Sequence, residues 1–341
     1  MSGPCLGKME VVVIINERRI GEMKARYDIQ LMVQVAKMYY IEGLTQEKIA
    51  QQLGISRSSI SMVLSEAREF GIVEISIKDP KNNVNDVADE LMNRFGLKGC
   101  LVVPTAIDSI HLITKVIASQ GADYAEDILK SHSTVGIAWG STCYEFMLSF
   151  VNRNKLNDVN VVPLIGGTSR ISSEYQLNEM VRMFAEKLQG TPSFIYAPAI
   201  AESIADRDLY MQSTSMKSIM ERWNSMDAAI VSAGAPPDWY STRMIVEPLQ
   251  MKAMYEANRS MVIGDICARR FNLMGEFIKN DYSDRVMGID EDNLRRIENV
   301  LCIAAGKQKV LSIIGALRTG VINHLVTDES TGRSIIELLN I

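Results

Sequence analysis

The chain has 341 residues, 47% of them hydrophobic, and a formal net charge of −5. That length supports two or three domains and a large core. No stretch approaches the roughly 20 uninterrupted apolar residues of a membrane span, so no membrane partner is expected. The net charge is unusual for a DNA binder, and the charges of residues 24–80 balance, so strong non-specific attraction to a polyanion is not expected from a single copy.

The leader contains the apolar run Val11–Ile15, too short for a secretory signal and followed by charge rather than a cleavage site. Residues 1–28 read as an extension, poorly ordered or locally packed. The five cysteines (Cys5, Cys100, Cys143, Cys267, Cys302) and three histidines (His111, His132, His324) are scattered, and no pair has metal-ligand spacing. Buried free thiols in a reducing cytoplasm are expected, with no metal and no cofactor.

Residues 29–42 carry Leu31, Val35, Met38 and Tyr39 at helical spacing, and Gly43 stops that helix. Thr45 is a good N-cap, with Glu47 in the first turn that follows. Ile49 and Leu53 point inward, and Gly54 supplies the tight turn. Ser56 caps a second helix whose inner face is Ile60, Val63, Leu64 and Ala67, ended by Gly71. Ala50 lies four residues before Gly54 and Ile60 six after it, the spacing that lets two short helices pack as a helix-turn-helix. A β-rich run from Ile72 to Ile77, closed by Pro80, completes a winged helix-turn-helix domain over 29–80. The second helix would face a DNA major groove. Arg57, Ser58, Ser59 and Ser61 occupy its early turns, where arginine pairs with guanine edges and serine reaches bases or phosphates. Lys48 and Arg68 are phosphate contacts or nothing. The bland alternative for the group is a solvated helix start capped by Ser56.

The polar, turn-rich stretch 81–86 marks a domain boundary, followed by a helix at Val87–Phe95, so that 81–96 is a linker and connecting helix. Residues 97–341 alternate apolar runs with helical patterns. The runs are Cys100–Val103, Val135–Trp139, Val159–Ile165, Phe194–Tyr196, Ala228–Ser232, Val300–Ala304 and His324–Val326. Alternation of this kind predicts an α/β fold with a parallel sheet and helices on both faces. Arg259–Asn280 reads as loop and short strands.

Several runs end in glycine before a helix: VGIAWGST (Gly140), VVPLIGGTSR (Gly166, Gly167), AIVSAG (Gly234) and CIAAGKQK (Gly306). Strand carboxyl ends hold ligands in open α/β sheets, and glycine lets backbone N–H groups approach an anion. One such turn is weak evidence. Repetition, with Ser141, Thr142, Thr168, Ser169, Arg170 and Lys309 alongside, favours a phosphorylated small molecule over a purely structural role.

With both halves in view, the chain resembles the SorC family of bacterial transcriptional regulators, from about Leu31 to Leu339. The stretch from Val35 to Ile77 resembles the family's DNA-binding domain. VGIAWGST and VVPLIGG are similar to its phosphate loops, IGDICARRF to its central Gly-Asp motif, and the segment from Ala304 to Ile336 to its closing motif. The resemblance implies a Rossmann-like effector domain related to sugar-phosphate isomerases, used for sensing, and tetramers assembled from dimers. It implies that Gly140, Ser141 and Thr142 hold a phosphate, with Gly166, Gly167 and Thr168 bordering the same pocket. Asp265 would accept hydrogen bonds from sugar hydroxyls, Lys309 would donate to phosphate or a sugar oxygen, and Asp328 would help close the site. This sequence departs from the family at Ala305-Gly306, at Ser232-Ala233-Gly234, and at Met62, where members often carry a basic residue.

The expected function is therefore a cytoplasmic regulator of carbohydrate metabolism. It would bind double-stranded operator DNA as a dimer or tetramer, and a small sugar or sugar-phosphate effector would modulate it, in the sense of a repressor relieved by inducer. The rival readings are an isomerase- or deaminase-like enzyme carrying a DNA-binding domain, and an architectural protein. No general acid and base with an orienting partner supports the enzyme. Asp265 has a helix-cap or turn role as its bland alternative, and Lys309 that of a surface lysine. Arg269 and Arg270 are undivided between pocket and surface, and His324 reads as a packed strand residue rather than a base.

Overall fold

The computed structural model describes residues 10–13, 27–69, 72–76, 84–105, 109–168, 176–235 and 262–340, which fall into two units, Met1–Asn83 and Val84–Ile341.

In the first unit Asp28 caps α1 (Ile29–Ala36), which runs into a π-helical turn over Lys37–Ile41. Met32, Val35 and Ala36 are buried, while Leu31 and Tyr39 are only partly so. Val35 and Met38 are buried as the spacing indicates. Tyr39 falls inside the π turn, which carries more residues than an α turn and shifts the phase of the side chains along it. Thr45 accepts the Lys48 N–H at 3.3 Å and starts α2 (Gln46–Leu53). Gly54 closes α2 at φ +67°, a left-handed conformation that costs a residue with a Cβ about 1 kcal/mol. α3 (Arg57–Glu69) then packs Ile60, Val63, Leu64 and Ala67 onto α1 and α2.

The wing has two strands, β1 (Glu10–Val13) and β2 (Val73–Ser76), paired antiparallel with Val11 opposite Ile75 and Val13 opposite Val73. One wing strand therefore comes from the stretch read as an extension. The β-branched run Val11–Val13 is itself a strand signal, read there only as a failed signal peptide. Gly71 and Pro80, read as helix stop and wing closure, lie outside the described residues.

The second unit opens with α4 (Val84–Phe95), three residues longer than expected at its start. Its sheet has seven strands: β3 (Gly99–Val103), β4 (Thr134–Ile137), β5 (Asn160–Pro163), β6 (Thr191–Pro192), β7 (Ala228–Val231), β10 (Asn299–Ile303) and β11 (His324–Asp328). Their order is β3-β11-β10-β7-β4-β5-β6 and every ladder is parallel. The connecting helices are α5 (Ile110–Ala125), α6 (Ser141–Ser149), α7 (Leu177–Lys187), α8 (Ile204–Gln212) and α9 (Thr214–Asn224). A short antiparallel hairpin of β8 (Gly264–Ile266) and β9 (Arg269–Phe271) follows. After it come α10 (Asp281–Asp284), α11 (Glu291–Arg296), α12 (Val310–Arg318) and α13 (Glu329–Leu339). All four residues of β7 are buried, as a strand covered on both faces requires. Phe146, Phe150 and Phe184 pack edge-on or tilted between α6 and α7.

Phe194–Tyr196, expected as a strand, is none. Pairing to β5 falls earlier, at Thr191–Pro192, and Ser193 adds one bond to the Val161 carbonyl. Gly190 sits so close to Val159 that a Cβ there would lie 1.8 Å from its carbonyl oxygen, which fixes where the chain joins the sheet. Tyr196 is 81% exposed. His324 is packed as expected. Its Nδ1 lies 2.8 Å from the Tyr124 hydroxyl and its Nε2 3.2 Å from Asn299 Oδ1, and burial lowers its pKa.

Candidate functional sites: a cluster at the strand carboxyl ends and an exposed helix face

β10, β7 and β4 are neighbours at the centre of the sheet, and each runs into a glycine: Gly306, Gly234 and Gly140. Gly140 has φ +112° and Gly306 φ +103°, which side chains rarely adopt. Gly140 is the N-cap of α6 and offers no side chain to it, so the amides of the first turn keep their donors for an anion. Ser141 is exposed at that turn and Thr142 is buried beneath it.

Gly234 joins β7 to the β8–β9 hairpin through a bridge to Asp265, with N–H···O distances of 2.9 and 3.2 Å. A Cβ on Gly234 would lie 2.1 Å from Asp265 Oδ1, so the close approach of the carboxylate requires glycine here. Asp265 Oδ2 accepts the Ala268 N–H at 3.0 Å. Burial pushes the Asp265 carboxyl up, opposed by that hydrogen bond and by the charges of Arg270 and Lys309. In the hairpin register Arg270 stands directly opposite Asp265, and cross-strand partners share a face. The Arg270 guanidinium also stacks on Tyr282, 3.6 Å from the ring centroid.

Lys309 follows the Gly306 turn through a single 3-10 turn, Lys307–Lys309, into α12. Burial lowers the pKa of its ammonium, opposed by the nearby Cys302 and Cys143 sulfurs and the Asp265 carboxylate. The Cys143 and Cys302 thiols, also buried, are themselves pushed up to about 12 and stay protonated at neutral pH. Two cations therefore face one acid, beside an uncapped helix start. The residual charge is positive, and a ligand carrying both an anion and hydroxyls suits it. Ser232, at the carboxyl end of β7, adds a buried hydroxyl with no hydrogen-bond partner among the described residues.

Four residues expected at the site make other contacts. Asp328 is 1% exposed, and its carboxylate is fully engaged. Oδ2 accepts Thr331 N–H at 3.0 Å and the Ser330 hydroxyl at 2.6 Å, while Oδ1 accepts Gly306 N–H at 3.1 Å and the Thr331 hydroxyl. It caps α13 and pins the Gly306 turn, so it shapes the site from behind. The Gly166 and Gly167 amides donate to the Met287 and Ala197 carbonyls at 2.8 and 2.9 Å. A Cβ on Gly166 would meet the Ala197 and Pro198 oxygens at 2.6 Å, so close backbone packing requires glycine there, whereas a Cβ on Gly167 would meet nothing within 4 Å. The Thr168 carbonyl accepts from Gln176 Nε2 at 2.9 Å. Ser169 and Arg170 lie outside the described residues.

The arginine pair separates cleanly. Arg269 is buried and donates to the Ile289, Ser283 and Gly288 carbonyls at 3.0–3.1 Å, holding the chain between α10 and α11. Arg270 alone belongs with Asp265 and Lys309. Alternation along a strand could have separated them, but the hairpin turn is Cys267-Ala268, both at positive φ, without the Asn-Gly or Asp-Gly that marks such a turn in sequence.

In the first unit, Ser56 Oγ accepts the Ser59 N–H at 3.0 Å and lies 2.8 Å from the hydroxyls of both Ser58 and Ser59. Ser56 and Ser59 are thus tied into the cap of α3. Arg57, Ser58, Ser61 and Met62 are exposed along its first two turns. Lys48 is exposed at the start of α2, and Arg68 Nε donates back to the Leu64 carbonyl at 3.3 Å.

Both units are similar to known proteins. The Sugar-bind family, a sugar-binding domain, matches residues 79–337, and sigma-70 region 4 matches residues 33–69. The sorbitol operon regulator of Klebsiella pneumoniae is 30% identical over 318 residues, covering 91% of this chain and 98% of the relative. The deoxyribonucleoside regulator of Bacillus subtilis (strain 168) is 28% identical over 313 residues, covering 90% and 97%. The crystal structure of the full-length sorbitol operon regulator SorC from Klebsiella pneumoniae superposes with a TM-score of 0.69 at 29% identity, covering 92% of this chain and all of that one. The named relatives are regulators, and none is an enzyme. The chain belongs to the SorC family of sugar-binding transcriptional regulators.

Proposed function

We propose that this regulator senses a phosphorylated sugar or polyol at the carboxyl ends of β4, β7 and β10 and reports it to operator DNA. What supports the reading is the meeting of Lys309, the Asp265–Arg270 pair and the uncapped start of α6 around Gly140, Gly234 and Gly306. In this proposal the phosphate takes the α6 amides with the Ser141 and Thr142 hydroxyls. Lys309 and Arg270 neutralise it or a second acidic group, and Asp265 accepts sugar hydroxyls. Gly166, Gly167 and Thr168 form a wall and Asp328 a support.

The first unit, with β1 as a strand of its wing, forms the reading head, and the second unit from Val84 onward forms the effector and assembly domain. Arg57, Ser58 and Ser61 contact DNA directly, Ser56 and Ser59 order the helix start, and Lys48 and Arg68 meet phosphates. Since one chain holds one half-site reader, a homodimer or tetramer in the cytoplasm binds a near-palindromic operator. Effector binding favours an arrangement with lower operator affinity, a repressor relieved by inducer. Such coupling is typically about 1–3 kcal/mol.

Thermal melting of the full chain with a panel of pentose, hexose and polyol phosphates, each beside its unphosphorylated parent, tests the reading. Stabilisation by a phosphorylated member alone, with release of a selected operator duplex by the same compound, is the expected result. Equal stabilisation by the unphosphorylated parent overturns the phosphate assignment, and no stabilisation by any member overturns the pocket.

A further inference from the structure

α3 presents an unusual outward face. Its inner seam is Ile60, Val63, Leu64 and Ala67, all buried. At 3.6 residues per turn, the line opposite that seam runs through Ser58, Met62 and Ser65. Arg57 falls to one side of it. No lysine or arginine occurs between Ser58 and Ser65. The centre of the presented face is thus a methionine, 39% exposed, one turn beyond Ser58, with Ser61 and Ser65 beside it and Glu66 one turn further on.

Methionine is unbranched and polarizable and adapts to an irregular apolar surface. Base edges in the major groove offer donors, acceptors and one apolar group, the C5 methyl of thymine. A helix that reads DNA with a thioether at its centre has that one partner available for it. From this placement we infer that Met62 is a specificity-determining residue that reads a thymine methyl in each operator half-site. The inference rests on α3 being the DNA-reading helix. It makes Met62 a direct contact in its own right, rather than a position where a basic contact has been lost.

The consequence is a discrimination that carries no charge. Removing the methyl by placing deoxyuridine for thymine leaves every hydrogen-bonding edge intact, so only the apolar contact is lost. One buried methyl-sized group corresponds to about a fourfold change in affinity, and two symmetric half-sites to about fifteenfold. The salt dependence of binding stays unchanged, because no phosphate contact is made or broken.

The test uses the full chain. Duplexes are first selected from a randomised pool, and each thymine of the enriched half-site is then replaced singly by deoxyuridine. We expect one position per half-site at which wild type loses about fourfold, at which Met62→Ala is indifferent, and at which Met62→Leu retains the preference. Met62→Ala should keep the wild-type melting temperature and the wild-type salt slope. Wild-type indifference to every thymine methyl, or an unchanged methyl preference in Met62→Ala, overturns the inference while leaving DNA binding standing. Failure to enrich any duplex overturns the reading of α3 itself.

Discussion

Replacing Asp328 with alanine separates support from contact. The side chain accepts four hydrogen bonds, two of them from Thr331, which is fully buried. Losing the cap of α13 costs about 1 kcal/mol. Leaving the Thr331 hydroxyl without its charged acceptor adds about 2 kcal/mol. Gly306 N–H keeps a second acceptor in Thr331 Oγ1 at 2.8 Å and adds little. The total is about 3 kcal/mol, or a fall of about 6–12 °C in the melting temperature of a domain this large. Asp328→Asn keeps one carbonyl acceptor and should lose about half as much. The sign with pH follows from the carboxyl's position. Burial raises its pKa, but the hydrogen bonds from Ser330, Thr331 and Gly306 outweigh it and hold the carboxyl below its ordinary 3.8. Its contribution is therefore complete above the unfolded value and disappears as pH falls through the lower folded one. Differential scanning calorimetry of the full chain at pH 7, 5 and 3 should show the gap between wild type and Asp328→Asn closing only below pH 4. A fall of less than 2 °C for Asp328→Ala at pH 7, or a gap constant down to pH 3, would refute the argument that this carboxylate braces the turn.

Three further outcomes are expected. Lys309→Met should leave the fold as stable as wild type, since a partly buried cation is removed, yet weaken a phosphorylated effector about 10- to 150-fold by calorimetric titration. In wild type the same titration should show affinity falling as pH rises through the lysine's value, which lies below 10.5, because the anion requires the protonated form. An affinity independent of pH up to 10.5 would remove Lys309 from the site. Gly234→Ala should displace Asp265, whose Oδ1 would lie 2.1 Å from the new Cβ, and abolish effector-induced thermal stabilisation. Retained stabilisation would show that Asp265 does not contact the effector. Arg57→Ala should lower operator affinity in a mobility-shift titration with melting unchanged, and unaltered affinity would refute its DNA contact.

Much of the fold is legible in the residues. Thr45, Gly54, Ser56 and the seam Ile60–Ala67 define the helix-turn-helix through local capping and periodicity alone. The apolar runs locate six of the seven sheet strands, and four of those six runs end in glycine. The seventh, β6, escaped because it is two residues long, and its placement depends on Gly190 meeting Val159 rather than on its own composition. The site is less legible. Gly140, Lys309 and Asp265 can be named from motif and spacing, but roles depend on partners distant in sequence. Asp328 reads as a ligand until its neighbours Gly306 and Thr331 appear, and Gly166 as an anion loop until the 197–198 backbone does. Arg269 and Arg270 are chemically identical, and only the register across a turn without glycine tells them apart.

The outer edge of the large sheet has a consequence for how copies can join. β6 ends in Pro192, which carries no N–H, and the strand is too short to template a neighbour. Lateral growth of the sheet, strand added to strand from one subunit to the next, is closed at that border. Any second copy that met this border would do so through side chains, and such a contact can shift by small rotations without breaking a backbone ladder.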